Sequence, residues 1–142
     1  MPMLTEDVAG QLKEEFANLA NPVRLAVFSQ ALSDPGSEQV KRLVEEVAGL
    51  SDKLSVESYN FVLDTEKVAS LGIARIPAIA VMGETHDPGV RFYGMPSGYE
   101  FGSLIDAIVD VSRGESELSP ETRAALAALE NPVHLQVFST PT

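Results

Sequence analysis

The sequence contains no cysteine. That removes disulfides, thiol catalysis and thiolate metal sites at one stroke. It contains only two histidines, His86 and His134. A zinc site would therefore need carboxylates for its remaining ligands, and no ligand spacing is visible. His86 lies in "GETHDPG", which reads as a solvated turn, and His134 lies in a predicted strand. Basic residues are scarce, 10 against 21 acidic ones, for a formal charge of −11. They are scattered along the chain, so no local basic patch offsets repulsion from a phosphate backbone, and nucleic acid is excluded as a partner. No apolar run approaches the ~18 residues of a membrane span. The opening "MPMLTEDVAGQLKEEF" lacks the basic and apolar blocks of a secretory signal, which points to a cytoplasmic location.

What the sequence does have is an internal echo. Residues 19–29 read "LANPVRLAVFS" and residues 129–139 read "LENPVHLQVFS", identical at eight of eleven positions with an offset of 110 residues. Upstream, Phe16 and Leu19 align with Leu126 and Leu129. A helix, an Asn-Pro turn and an alternating strand thus occur twice. A period of this size is a small domain rather than a solenoid repeat. The chain reads as one complete unit, residues 1–114, followed by the opening helix and strand of a second, residues 115–142. It is expected to be a piece of a longer tandem protein.

Within the first unit the elements follow from periodicity and caps. A helix is expected from Thr5 to Ala20, with Thr5 as N-cap, Glu6 and Asp7 in the first turn, and a stripe of Val8, Leu12, Phe16 and Leu19. Val23 to Ser29 alternates as a strand. Asp34 as N-cap and Pro35 as first helical residue open a second helix, with Val40, Leu43, Val44 and Val47 on one face. Strands are expected near Ser55 to Val62, after Pro77, and over Val90 to Gly94, with the short helix "TEKVASLG" ended by Gly72. "SGYE", Ser97 to Glu100, reads as a capping box for a helix carrying Phe101, Leu104, Ile105, Ile108 and Val111. Ser119 and Pro120 cap the helix "ETRAALAALE". The pairs Glu45–Glu46 and Asp106–Asp110 read as solvated faces, and Phe92, Tyr93, Tyr99 and Phe101 read mostly as core. The order α-β-α-β-α-β-β-α implies an α/β fold: a parallel crossover, then an antiparallel hairpin, giving a mixed four-stranded sheet between helices. That arrangement resembles a thioredoxin-like, and more narrowly a glutaredoxin-like, fold.

The segments "KRLVEEVAGLSDKLSVE", "ARIPAIAV", "GVRFYGMPSGYEFGSLIDAIVDVSR" and "NPVHLQVFSTPT" carry a more specific resemblance. Over essentially the whole chain, the sequence is similar to the N-terminal half of the tandem glutaredoxin-like protein disulfide oxidoreductases. It is also similar to the N-terminal domain of the flavoprotein component of bacterial alkyl hydroperoxide reductases. The resemblance implies that a redox C-x-x-C would sit between the first strand of the unit and the helix after it. The matching stretch here is Ser33, Asp34, Pro35, Gly36 and Ser37. Neither cysteine is present, and a carboxylate does not exchange disulfides, so the slot persists without its chemistry. Ile76-Pro77 matches the fold's usually cis proline, which faces the redox motif, and the resemblance implies a residual role in peptide docking or only in shaping the loop. In the disulfide oxidoreductases "TPT" leads into the second unit's C-x-x-C, so Thr142 would lie just before it.

The leading expectation is a redox-inactive module that scaffolds or docks a neighbouring C-x-x-C unit engaged in thiol–disulfide electron transfer. The chain itself would not be an enzyme and would hold no metal or cofactor, FAD and NAD(P)H belonging to a longer parent. The alternative is a partner-binding module holding a peroxiredoxin tail, or another thiol protein, along the Ile76–Pro77 groove. An independent enzyme using carboxylates or Ser29 ranks last, since no base-oriented nucleophile is visible. Residues 132–138, an apolar strand pattern without a sheet, are expected to pair with a second chain as a homodimer or to fold back on their own unit, the dimer being preferred.

Overall fold

The computed structural model describes residues 1–30 and 34–140. The elements are α1 (Glu6–Phe16), β1 (Val23–Ser29), α2 (Pro35–Ala48), β2 (Leu54–Asn60), α3 (Thr65–Ser70), β3 (Ala78–Gly83), β4 (Val90–Tyr93), α4 (Tyr99–Arg113) and α5 (Pro120–Ala127). The sheet order is β2-β1-β3-β4. β1 and β2 run parallel in a register that sets Leu25 beside Val56. β3 is antiparallel to both β1 and β4. Among the described residues no helix is long and apolar enough to cross a membrane.

Alternation along the strands divides the core in two. On one face Val23, Leu25, Val27, Ile79 and Val81 pack with Leu12 and Phe16 of α1, the Val40–Val47 stripe of α2, and Leu104, Ile105 and Ile108 of α4. On the other face Ala26, Phe28, Ala78, Ala80 and Met82 lie under Val68, Leu71, Ile73 and Ile76. The three alanines leave room for that irregular cover to approach the sheet. α2 packs on β1 and β2, and α4 on β3 and β1, so both helices cover the same face of the central strand β1.

The structure departs from sequence expectation in four places. α1 stops at Phe16 rather than Ala20, because the chain tightens through Asn18 N–H to Glu15 C=O and Leu19 N–H to Phe16 C=O, each 3.2 Å. That turn buries Leu19 ahead of Asn21-Pro22, where the residue before proline resists helix. The capping box does not form. Gly98, at φ +58°, is the N-cap of α4 and offers no side chain, and the Ser97 carbonyl accepts from Glu100 N–H at 3.2 Å. The glycine turn moves the helix start one residue on, which takes the Ser97 hydroxyl out of capping position. Third, residues 132–138 form no strand. A strand needs a ladder, and this segment neither pairs with β2 or β4 nor folds down on the unit; Leu135, Val137 and Phe138 are 87–90% exposed. Tyr99, expected with the core, is likewise exposed.

Candidate functional site

The site the sequence points to lies where β1 hands over to α2. Ser33 is outside the described residues. From Asp34 onward the geometry is that of a filled helix cap. Asp34 sits in extended backbone, φ −140° and ψ 98°, and its side chain accepts from Gly36 N–H at 3.0 Å. The other carboxylate oxygen accepts from the Ser37 hydroxyl at 2.8 Å, and the Asp34 carbonyl from Ser37 N–H at 3.1 Å. Pro35 occupies the first turn, where its missing N–H costs nothing. Ser37 is buried. The charge that complements the helix dipole here is a carboxylate already engaged by its own turn. A side chain at Gly36 would press on it, since a Cβ there would lie 3.2 Å from Asp34 Oδ1.

Pro77 is reached from the other side of the sheet. The Ile76–Pro77 peptide bond is cis. Ala78 pairs with Phe28, so one step further along the same register Pro77 follows opposite Ser29. The Pro77 carbonyl accepts from Gly94 N–H at 2.9 Å, and the Ser29 carbonyl from Phe61 N–H at 2.9 Å. The fold thus brings the start of α2, the end of β1 and the start of β3 to one end of the sheet. Ile76 turns back onto the second core face. The loop before it is fastened from below: Tyr93 Oη receives Ala74 N–H at 3.3 Å, Arg91 Nε donates to the Leu71 carbonyl at 3.0 Å, and the Arg75 guanidinium lies 4.7 Å over the Tyr93 ring. Arg91 is held in turn by a two-bond pairing with Asp87, and that hydrogen bonding keeps the Asp87 carboxyl below its ordinary range.

Beside this end, Val62 and Leu63 project from the loop after β2. The loop is shaped by Asn60, whose side-chain oxygen receives both their N–H groups at 2.9 and 3.0 Å, and by Asp64, which accepts from Asn60 N–H at 2.6 Å. Both apolar side chains are more than half exposed. Sequence reading passed over them, although an Asn with an Asp four residues on is a loop-closing signal. It also passed over Ser112, buried on α4. Its hydroxyl donates to the Asn21 carbonyl at 2.7 Å and accepts from Asn21 N–H at 3.0 Å, while Asn21 Nδ2 reaches the Ser112 carbonyl at 2.8 Å. Among the described residues no group of three or more His, Asp or Glu could hold a metal. His86 stacks close to the Gly83 backbone, where a Cβ would lie 2.2 Å from its ring, and His134 is exposed.

No protein-family model matches the chain. It is 29% identical over 137 residues to the alkyl hydroperoxide reductase component AhpF of Staphylococcus epidermidis, and 30% identical over 137 residues to that of Staphylococcus aureus. Each alignment takes in 96% of this chain and 24% of the relative, so the chain spans about a quarter of the length of the curated proteins it matches. Among solved structures, the NTD_N/C domain of alkylhydroperoxide reductase AhpF from Enterococcus faecalis superposes with a TM-score of 0.80 at 28% identity, covering 89% of this chain and 61% of that one. A protein disulfide oxidoreductase from Aeropyrum pernix gives 0.78 at 29% identity over 88% of this chain and 55% of its own. Thioredoxin from Halobacterium salinarum, at 16% identity and TM-score 0.53, shares the fold. The homologues are therefore the N-terminal region of AhpF and a protein disulfide oxidoreductase, and the fold is thioredoxin-like.

Proposed function

We propose that this chain is a redox-inactive thioredoxin-like module that scaffolds a neighbouring C-x-x-C unit, and that residues 115–142 are the opening of that neighbour. The observation that carries this reading is a contrast between the two copies of one sequence. In the first copy Phe16, Leu19, Leu25, Val27 and Phe28 are buried in the core; in the second, Leu126, Leu129, Leu135, Val137 and Phe138 are all exposed. Closely similar apolar chemistry is satisfied once and left unsatisfied once, and α5 buries none of its residues. Large apolar surface of this kind marks an interaction site. What α1 and β1 cover in the first unit is what α5 and 132–138 call for in a second. FAD and NAD(P)H, on this reading, serve other parts of a longer protein.

A second reading, docking of a peroxiredoxin or other thiol protein at the Ile76–Pro77 groove, has its own support in the exposed Val62–Leu63 pair held beside that end of the sheet. The scaffold reading is tested by joining the chain, after Thr142, to the C-x-x-C-bearing remainder of a thioredoxin-like unit that lacks its own first helix and strand, and following amide exchange. The amides of Leu135 and Val137 should become protected to the level of Leu25 and Val27; free exchange in the joined protein would sink the proposal. The chain alone should leave insulin reduction by dithiothreitol at the uncatalysed rate. An acceleration lost on changing Asp34 or Ser37 would overturn the loss of chemistry at the slot.

A further inference from the structure

Glu46, read from sequence as part of a solvated face, is occupied. It lies on α2 and its carboxylate faces the chain's first residues. Met3 N–H reaches both oxygens at 2.8 Å, and Leu4 N–H reaches Oε2 at 3.0 Å. One turn earlier, Arg42 Nη2 donates to the Met1 carbonyl at 2.7 Å. Leu4 and Val8 lie against the main core, as do Leu50 of the α2–β2 connection, Met95 before α4 and Phe101 on it. The segment crosses a furrow and leaves space on each side. One hollow of ≈ 360 Å³ is lined by residues that include Met1, Leu4, Lys13, Glu46 and Leu50. Another of ≈ 250 Å³ includes Met3, Leu4, Val8, Pro96 and Phe101.

We propose that residues 1–4 are a strap, latched by the Glu46 carboxylate across the furrow between α2 and the start of α4, that opens when that carboxylate is protonated. Successive backbone N–H groups converging on one carboxylate make a charge-assisted contact, stronger than neutral hydrogen bonds. Those backbone bonds are the foremost reason the Glu46 carboxyl is held below its ordinary value. The charged groups around it are Arg42 and Glu45 on α2, Lys13 on α1 and the Met1 amino group, with Glu45 itself 4.0 Å from Lys41. A lowered folded value means the latch is complete above the unfolded glutamate value of about 4.3 and is lost as pH falls through the folded one. The hydrogen bonds holding the strap down are those of the residue 3 and 4 amides and the Arg42–Met1 contact, so losing the carboxylate charge weakens most of them at once.

The test is backbone NMR on the whole chain. In the wild type the Met3 and Leu4 amide shifts should titrate with the Glu46 carboxyl, and both amides should be protected at neutral pH. In Glu46→Gln, both should exchange about tenfold faster or more, as expected for a lost hydrogen bond to a charged group, while β1 amides are unchanged. Glu45→Gln should leave both amides as in the wild type. Flat Met3 and Leu4 shifts through the carboxyl range, or equal protection in Glu46→Gln and wild type, would overturn the proposal.

Discussion

Asp34 stands at the redox-motif position on the proposed reading, and the chemistry it shows is that of a cap. Replacing it with alanine removes the acceptor for Gly36 N–H and for the buried Ser37 hydroxyl together. A lost cap alone costs about 0.5–2 kcal/mol. Asp34→Ala should fall in the upper part of that range by urea denaturation, because the Ser37 hydroxyl also loses its partner. Ser112 is the less visible counterpart. Ser112→Ala leaves the Asn21 N–H and C=O without the hydroxyl that serves both, and it should destabilise by about 1–3 kcal/mol. A Ser112→Thr variant that keeps the hydroxyl should recover part of the loss, whereas a variant as weak as alanine would assign the effect to packing. The Asp34 cap was legible in the sequence because its partners are two and three residues away. The Asn21–Ser112 clamp was not, because its partners are 91 residues apart. The repeated Asn-Pro is visible in the sequence as a motif, but only the fold shows what the first asparagine holds.

At the scale of elements, the two copies of one strand sequence make a matched experiment. Leu25→Ala should cost about 2–5 kcal/mol, as for a buried leucine. Leu135→Ala, the equivalent position, should stay within about 0.5 kcal/mol, as surface changes do. Equal costs would mean that the second copy packs in solution after all. This pair also shows why the same strand pattern gives a strand in one place and not in the other. Alternation states which face would be buried, but a strand exists only where neighbours close the ladder, and β2 and β3 do so for β1 alone. The start of α4 departs from its pattern for a different reason: Ser97 and Glu100 have the spacing of a capping box, but the positive φ at Gly98 changes which residue caps. The parallel β1–β2 crossover and the antiparallel β3–β4 hairpin, by contrast, were legible, because a linking helix and the "GETHDPG" turn each favour one kind of pairing, whereas the β1–β3 pairing that joins the two halves is shown only by the fold.

For the molecule as a whole, a charge of −11 sets the response to pH. Most carboxylates repel one another, and acid relieves that repulsion. Asp87 works the other way. Its folded carboxyl is held low, first by hydrogen bonding to Arg91 and further by Gly89 N–H. Its contribution is therefore present above the unfolded aspartate value of about 3.9 and lost as pH falls through the lower folded value. Comparing wild type with Asp87→Asn by thermal melts from about pH 7 to about pH 2.5 should show the difference between them shrinking across that acid range and constant above about pH 5. A gap that widened on acidification would reverse the assignment.

The cap at Asp34 has one more consequence, which concerns what this body cannot sense. Its turn is closed by oxygen acceptors with amide and hydroxyl donors, and no cysteine exists anywhere in the chain to be joined or parted. Glutathione poise, however far it swings, finds no dithiol here on which to act. Amide spectra taken in reduced and in oxidised glutathione should therefore superimpose. On the proposed reading, a neighbouring unit that gains and loses electrons does so beside a body whose own shape does not follow redox poise.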